Sequence, residues 1–128
     1  MGWNLNKFSH DTKVETLISA DVSVDGSLSF SAGLQIEGQI HGAIRGLEAN
    51  STLRVAQNGQ VNGDIHSAYV MIFGAVNGDV FGKHVELGAG CHVTGSVHYE
   101  VIEMAMGAEI NGQLIHEDLK DTLPPDPS

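Results

Sequence analysis

One motif recurs along this chain: an apolar residue, any residue, glycine, any residue, an apolar residue. It appears as Val24/Gly26/Leu28, Ile36/Gly38/Ile40, Val61/Gly63/Ile65, Val76/Gly78/Val80, Val93/Gly95/Val97 and Ile110/Gly112/Leu114. Before most copies stands a second apolar pair: Leu28/Phe30, Leu53/Val55, Val70/Ile72, Val85/Leu87 or Ile102/Met104. The segments "LRVAQNGQVNGDIHSAY", "VELGAGCHVTGSVHYEV" and "IEMAMGAEINGQLIHED" align without gaps, and "VMIFGAVNGDVFGKH" is the same unit two residues shorter at the bend. Read this way, successive units start at Leu28, Leu53, Val70, Val85 and Ile102, with about eight residues around "GLEANST" as an interruption. "TLISADVSVDGSL" gives an irregular first unit. Self-similarity at such a period marks stacked repeats, none of which can bury its own apolar face alone.

Within each unit the apolar period is two, and β-branched residues dominate, which predicts short strands with one face buried. The runs are too short for ordinary sandwich strands. The competing reading is a set of hairpins, since Asn58-Gly59, Asn62-Gly63, Asn77-Gly78 and Asn111-Gly112 are hairpin signals. Two of these fall within six residues, which no pair of hairpins can use. A coil with three short sides and three corners accommodates about 17 residues, and the recurrent glycine suits a corner where a β-carbon would crowd the axis or φ is positive. The expected fold is all-β: one three-sided β-helix of about six coils, residues 15–116, with a flexible N-terminal tail (1–14) and a flexible, acidic, proline-containing C-terminal tail (117–128).

The whole ladder of "VDGSLSF", "LQIEGQIHGAI", "VNGDI", "VNGDV", "VTGSV" and "INGQL", over about residues 16–116, resembles the bactofilins. The resemblance implies a right-handed β-helix and a bacterial cytoskeletal role: end-to-end polymerisation without nucleotide, and scaffolding of other proteins, such as envelope or cell-wall proteins, at the cytoplasmic membrane. The interruption at "GLEANST" departs from a regular coil.

Physical chemistry leads to self-association by a separate route. A solenoid end exposes unpaired backbone groups and open core, and neither flank of this chain reads as a cap. The expected contacts are in the end coils: Leu17, Ile18, Val22, Val24, Leu28 and Phe30 at one end, Ile102, Met104, Met106, Ile110, Leu114 and Ile115 at the other. Most of these also face their own coil's core. A self-stacking rod does not close, so the product is a filament.

Six Lys and Arg against sixteen Asp and Glu give a net charge of −10, the wrong sign for a nucleic-acid binder. The acids also repel rods sideways while leaving the ends free to join. In the first ten residues, Met1, Trp3, Leu5 and Phe8 surround Lys7. Aromatics favour the membrane interface and a cation meets anionic lipid there, so these five residues are the expected membrane contact, similar to the short apolar targeting stretch of bactofilins. Weak single contacts add up along a polymer. No run of about 18 apolar residues and no secretory signal is present, which places the protein in the cytoplasm, at the inner face of the membrane. Asn6 argues against myristoylation of Gly2.

No cofactor or metal is expected. His66 and His98 align one place after Ile65 and Val97, and His41 follows Ile40 likewise; they read as an outward polar column open to protonation, with Phe81 intervening. A zinc site needs three or four converging ligands. No phosphate loop ending in Lys-Ser or Lys-Thr exists, so nucleotide is not expected. Cys91 aligns with Gly59 and Ala108 at a small-residue bend and reads as packing; a single cysteine forms no internal disulfide and fits a reducing compartment. Asp64 and Asp79 read as a solvated column. The chain is therefore not expected to be an enzyme. The alternative is a trimeric left-handed β-helix enzyme, an acyltransferase or a zinc carbonic-anhydrase-like protein. Against it, the apolar steps run two, six and four rather than a strict six.

Overall fold

The computed structural model describes residues 16–116, all of whose regular structure is strand. The chain winds through six coils of three sides each. The first coil holds β1 (Thr16–Ile18), β2 (Ser23–Asp25) and β3 (Leu28–Phe30), and the second β4 (Gly33–Ile36), β5 (Gln39–His41) and β6 (Ile44–Gly46). Then follow β7 (Thr52–Val55), β8 (Gln60–Asn62), β9 (Ile65–Ile72), β10 (Ala75–Asn77), β11 (Val80–Leu87), β12 (His92–Thr94), β13 (Val97–Met104), β14 (Glu109–Asn111) and β15 (Leu114–His116). Strands β9, β11 and β13 each run round a corner, closing one coil and opening the next.

All pairings are parallel, coil on coil. The first side stacks β1, β4, β7 and residues 69–72, 84–87 and 101–104; the second stacks β2, β5, β8, β10, β12 and β14. The third stacks β3, β6, residues 65–67, 80–82 and 97–99, and β15. At a coil spacing of about 4.8 Å the rod is roughly 29 Å long. Thr16 opens the first side and His116 closes the third, so both described ends lie at the same edge of the rod.

The core is a set of aliphatic columns. On the first side Ile36, Val55, Ile72 and Leu87 stack in register, on the second Ile40, Val61, Val76 and Val93, on the third Ile44, Ile65, Val80 and Val97; all are buried. Each such side chain contributes about 1.5–3 kcal/mol when removed from water, and none could do so within a single coil.

The recurrent glycine lies at the second corner. Gly95 has φ +137°, and a β-carbon there would collide with the carbonyl of Gly78 one coil earlier. The crowding is therefore between coils, along the rod, not at its central axis. At this corner the spacing is four residues in every coil, from Val24–Leu28 to Ile110–Leu114.

Two details of phase differ from the sequence expectation. Leu28/Phe30 does not open a coil: it closes the first, pairing with Ile44/Gly46, while Leu34/Ile36 opens the second beside Leu53/Val55. The second-corner triplet of that coil is accordingly Ile40/Gly42/Ile44, not Ile36/Gly38/Ile40. The opening strands thus start 19, 17, 15 and 17 residues apart. Leu28/Phe30 misled because it too alternates ahead of a glycine triplet. The interruption at Leu47–Ser51 is smaller than expected. Ile44 to Leu53 spans nine positions where Ile65 to Val70 spans five, so four extra residues bulge at the third corner. Ser51 folds back under that bulge. Its Oγ accepts the N–H of Ala68 at 3.1 Å and lies 3.1 Å from Ser67 Oγ, which also donates to the Ser51 carbonyl, so two fully buried hydroxyls satisfy one another.

Candidate assembly interface

Each end of the rod carries three strands that are paired on one side only among the described residues. These are β1, β2 and β3 at one end, and β14, β15 and residues 101–104 at the other. Their free edges are rows of backbone donors and acceptors, a template for another strand.

The end-coil residues singled out from the sequence divide into two groups. Ile102, Met104, Ile110 and Leu114 continue the inward columns beyond Val85, Leu87, Val93 and Val97. Those four inner residues are fully buried, whereas Met104 is 48% and Leu114 40% exposed, and Ile102 and Ile110 are half-buried. At the other end Ile18, Val24 and Leu28 continue the columns beyond Ile36, Ile40 and Ile44 and are half-buried. Phe30 is nearly buried, its ring tip lying beside Gly46, where a side chain would also collide with Ser51. The other four do not point into the core columns. Leu17 is outward and exposed beside Gln35, and Ile115 lies in the outward column beyond His98. Val22 and Met106 sit at first corners, Met106 with 94% of its surface exposed. Period-two counting separates inward from outward on a strand, but corner residues have no such phase. Met1, Trp3, Leu5, Lys7 and Phe8 lie outside the described residues.

The outer surface is laddered. The His66 and Phe81 rings stack with centroids 4.4 Å apart, and Phe81 and His98 stack at 4.3 Å. Phe81 thus separates the two imidazoles. Burial above all, then the charge of Arg45, holds His66 below its ordinary pKa, with Asp64 opposing and His98 adding to the shift. Asp64 and Asp79, read from sequence as merely solvated, have a second role: Asp64 Oδ1 accepts the N–H of Asp79 and Asp79 Oδ1 that of Ser96, each at 3.0 Å. Their spacing by one coil was visible in the sequence, but only the corner geometry turns the carboxylate toward the next backbone.

Two histidines meet carboxylates between the last two coils: His84 Nε2 lies 3.4 Å from Glu103 Oε1, and His92 Nδ1 3.1 Å from Glu109 Oε1. Each is a pair. Among the described residues no three His, Cys, Asp or Glu side chains come together as a metal ligand set would require. Cys91 is fully buried and burial pushes its thiol pKa up, so it packs as a small apolar group. A surface hollow holds Glu37, Ala56, Gln57, Asn58 and Arg54, whose guanidinium lies 4.8 Å over the Phe73 ring; it contains no nucleophile beside a base. No helix of the described residues is long and apolar enough to cross a membrane. The chemistry on offer is strand-edge pairing and apolar burial at the ends.

Comparison with known proteins gives the same picture. Residues 16–115 match the family model described as bactofilin, polymer-forming cytoskeletal. The chain is 32% identical over 107 residues to bactofilin BacO of Myxococcus xanthus (strain DK1622), covering 83% of this chain and 82% of that protein. The solid-state NMR structure of the cytoskeletal bactofilin BacA superimposes with a TM-score of 0.70 at 29% identity, over 80% of this chain and 95% of that one.

Proposed function

This chain belongs to the bactofilins, the polymer-forming cytoskeletal family, and from that premise we propose that it is a non-enzymatic scaffold subunit whose end coils stack on those of other copies without nucleotide. The observation that carries the reading is the break in burial at the rod's end: Leu87 is fully buried, and Met104, next in the same column, is 48% exposed. Stacking another coil there restores both the apolar contact and the strand pairing. Burying such a side chain contributes about 1.5–3 kcal/mol, and each end offers several. A rod with two open ends adds subunits without closing.

The filaments lie, on this reading, at the cytoplasmic face of a membrane. Trp3, Leu5 and Phe8 enter the interface and Lys7 meets anionic headgroups. Many copies on one filament give avidity that a single segment lacks. The filament then presents a repeating surface to envelope or cell-wall proteins.

Negative-stain electron microscopy of the purified protein, without nucleotide and across a range of concentrations, tests assembly. Long, thin, unbranched filaments are expected; discrete compact trimers would refute the scaffold. Co-sedimentation with anionic vesicles tests membrane contact separately, and loss of pelleting in Trp3→Ser with Phe8→Ser is the expected result.

A further inference from the structure

On coils four to six, the outward residues of the first side form two parallel columns. One is Tyr69, His84 and Val101; the other is Met71, Glu86 and Glu103. A shallow groove runs between them on coils four and five, lined by Tyr69, Met71, His84 and Glu86, floored near Val70 and bounded by Thr52; Val101 and Glu103 continue the two columns just beyond it. Tyr69 is 45% and Val101 52% exposed. This surface is on the flank of the rod, so stacking at the ends does not cover it. Glu86 and Glu103 face each other in register on adjacent strands, a like-charge juxtaposition that destabilises a sheet unless a cation joins it. His84 reaches Glu103 at 3.4 Å and stacks on Tyr69 at 6.0 Å, and no Lys or Arg of the described residues lies in either column beyond Arg54, which pairs with Met71.

We propose that this groove is a docking site for the chain's own N-terminal segment, residues 1–15. The segment enters at the foot of the same surface: Leu17 is the first member of the column that continues through Gln35, Arg54 and Met71 to Glu86 and Glu103. Met71 lies three coils above Leu17, about 14 Å, and Glu103 five coils, about 24 Å. The nine residues from Phe8 to Leu17 span about 30 Å when extended, so the segment reaches the whole groove. Its chemistry is complementary. Trp3, Leu5 and Phe8 cover Tyr69, Met71 and Val101, and Lys7 or Lys13 meets the Glu86–Glu103 pair. The other flanking segment, residues 117–128, carries four acids and one Lys and is repelled by that pair. Docking withholds from lipid the side chains assigned above to membrane contact; that consequence, though not the docking, rests on the membrane reading.

Trp3 is the only tryptophan of this chain and reports directly on its N-terminal segment. Without lipid, docking predicts blue-shifted Trp3 emission with a quenching slope in acrylamide several-fold below that of free tryptophan, independent of protein concentration. Val101→Glu, and separately the double change Lys7→Glu with Lys13→Glu, should move emission and quenching to solvent values. The second variant alters no residue of the rod, so a folding failure in Val101→Glu leaves the test intact. Solvent-like Trp3 in the unaltered protein, or no change in Lys7→Glu/Lys13→Glu, overturns the proposal. A signal that grows with concentration assigns the groove to another copy's segment and overturns it too, as does loss of the signal only on removing residues 117–128. Adding phosphatidylcholine–phosphatidylglycerol vesicles separates the two readings. A docked Trp3 that ignores vesicles supports docking and refutes membrane contact; a solvent-like Trp3 that responds to vesicles does the reverse.

Discussion

His66 and Phe81 lie face to face on successive coils, their ring planes 5° apart. Covering one face of an imidazole takes it from water, and Arg45 lies in register on the coil before. The folded protein therefore favours neutral His66, below the ordinary pKa near 6.5. The unfolded chain then binds more protons in the window beneath 6.5, so stability is complete above that value and falls as pH drops through it. Thermal melts between pH 7.5 and 5 should show this loss, and His66→Gln should flatten it. An unchanged slope in His66→Gln would assign the acid sensitivity to other groups.

The two glycine corners should respond differently to alanine. Gly95 combines φ +137° with a carbonyl in the path of a β-carbon; Gly90 has φ +83° and open space around it. Gly90→Ala carries left-handed strain alone, roughly 1–2 kcal/mol. Gly95→Ala adds displacement of the Gly78 carbonyl and should cost clearly more. Chemical denaturation of the pair checks the order, and equal losses would mean that backbone conformation alone selects glycine in the column.

Ser51 Oγ accepts the buried N–H of Ala68 at 3.1 Å. Ser51→Ala leaves the amide of Ala68 without its acceptor in a dry corner, a loss of about 1–3 kcal/mol. Ser67→Ala removes a donor from carbonyls but keeps the Ser51–Ala68 bond. The first should be the more damaging in denaturant titrations; the opposite order would place the bulge's anchor at Ser67.

A charge placed in one column should act differently with depth. Leu87→Arg buries an unpaired cation and should unfold the rod, which circular dichroism would show. Met104→Arg leaves the cation in water and the protein folded, but blocks stacking, so filaments disappear from micrographs and sedimentation. Val24→Arg tests the other end in the same way. Intact filaments from a folded Met104→Arg and a folded Val24→Arg would remove these end coils from the interface.

The solenoid, its three sides and its six coils were legible because period-two alternation repeats at nearly constant spacing, as in Val93/Gly95/Val97 against Ile110/Gly112/Leu114. Coil phase was legible only where both halves of the unit are regular. Where the first coil passes into the second, Phe30 and Leu34 fall either side of a corner, and alternation on one side mimics alternation on the other. The four-residue excess at Leu47–Ser51 hid the true spacing further. The inward end residues Ile102, Met104, Ile110 and Leu114 followed from column continuity. Leu17, Val22, Met106 and Ile115 did not, since apolar character alone does not reveal which way a terminal or corner side chain turns. The hydrogen bonds that the Asp64 and Asp79 carboxylates accept depend on corner direction, which no residue pattern encodes.

The rod contains a whole number of turns. Because Thr16 and His116 share one edge, whatever is attached to either end of this domain joins it at that edge. A chain of such rods joined in continuous register behaves as a ruler with one marked side, its attachments set out along a single line about 29 Å apart. Half a turn more or less would throw alternate attachments onto opposite sides, and a flat support could then reach only every second one.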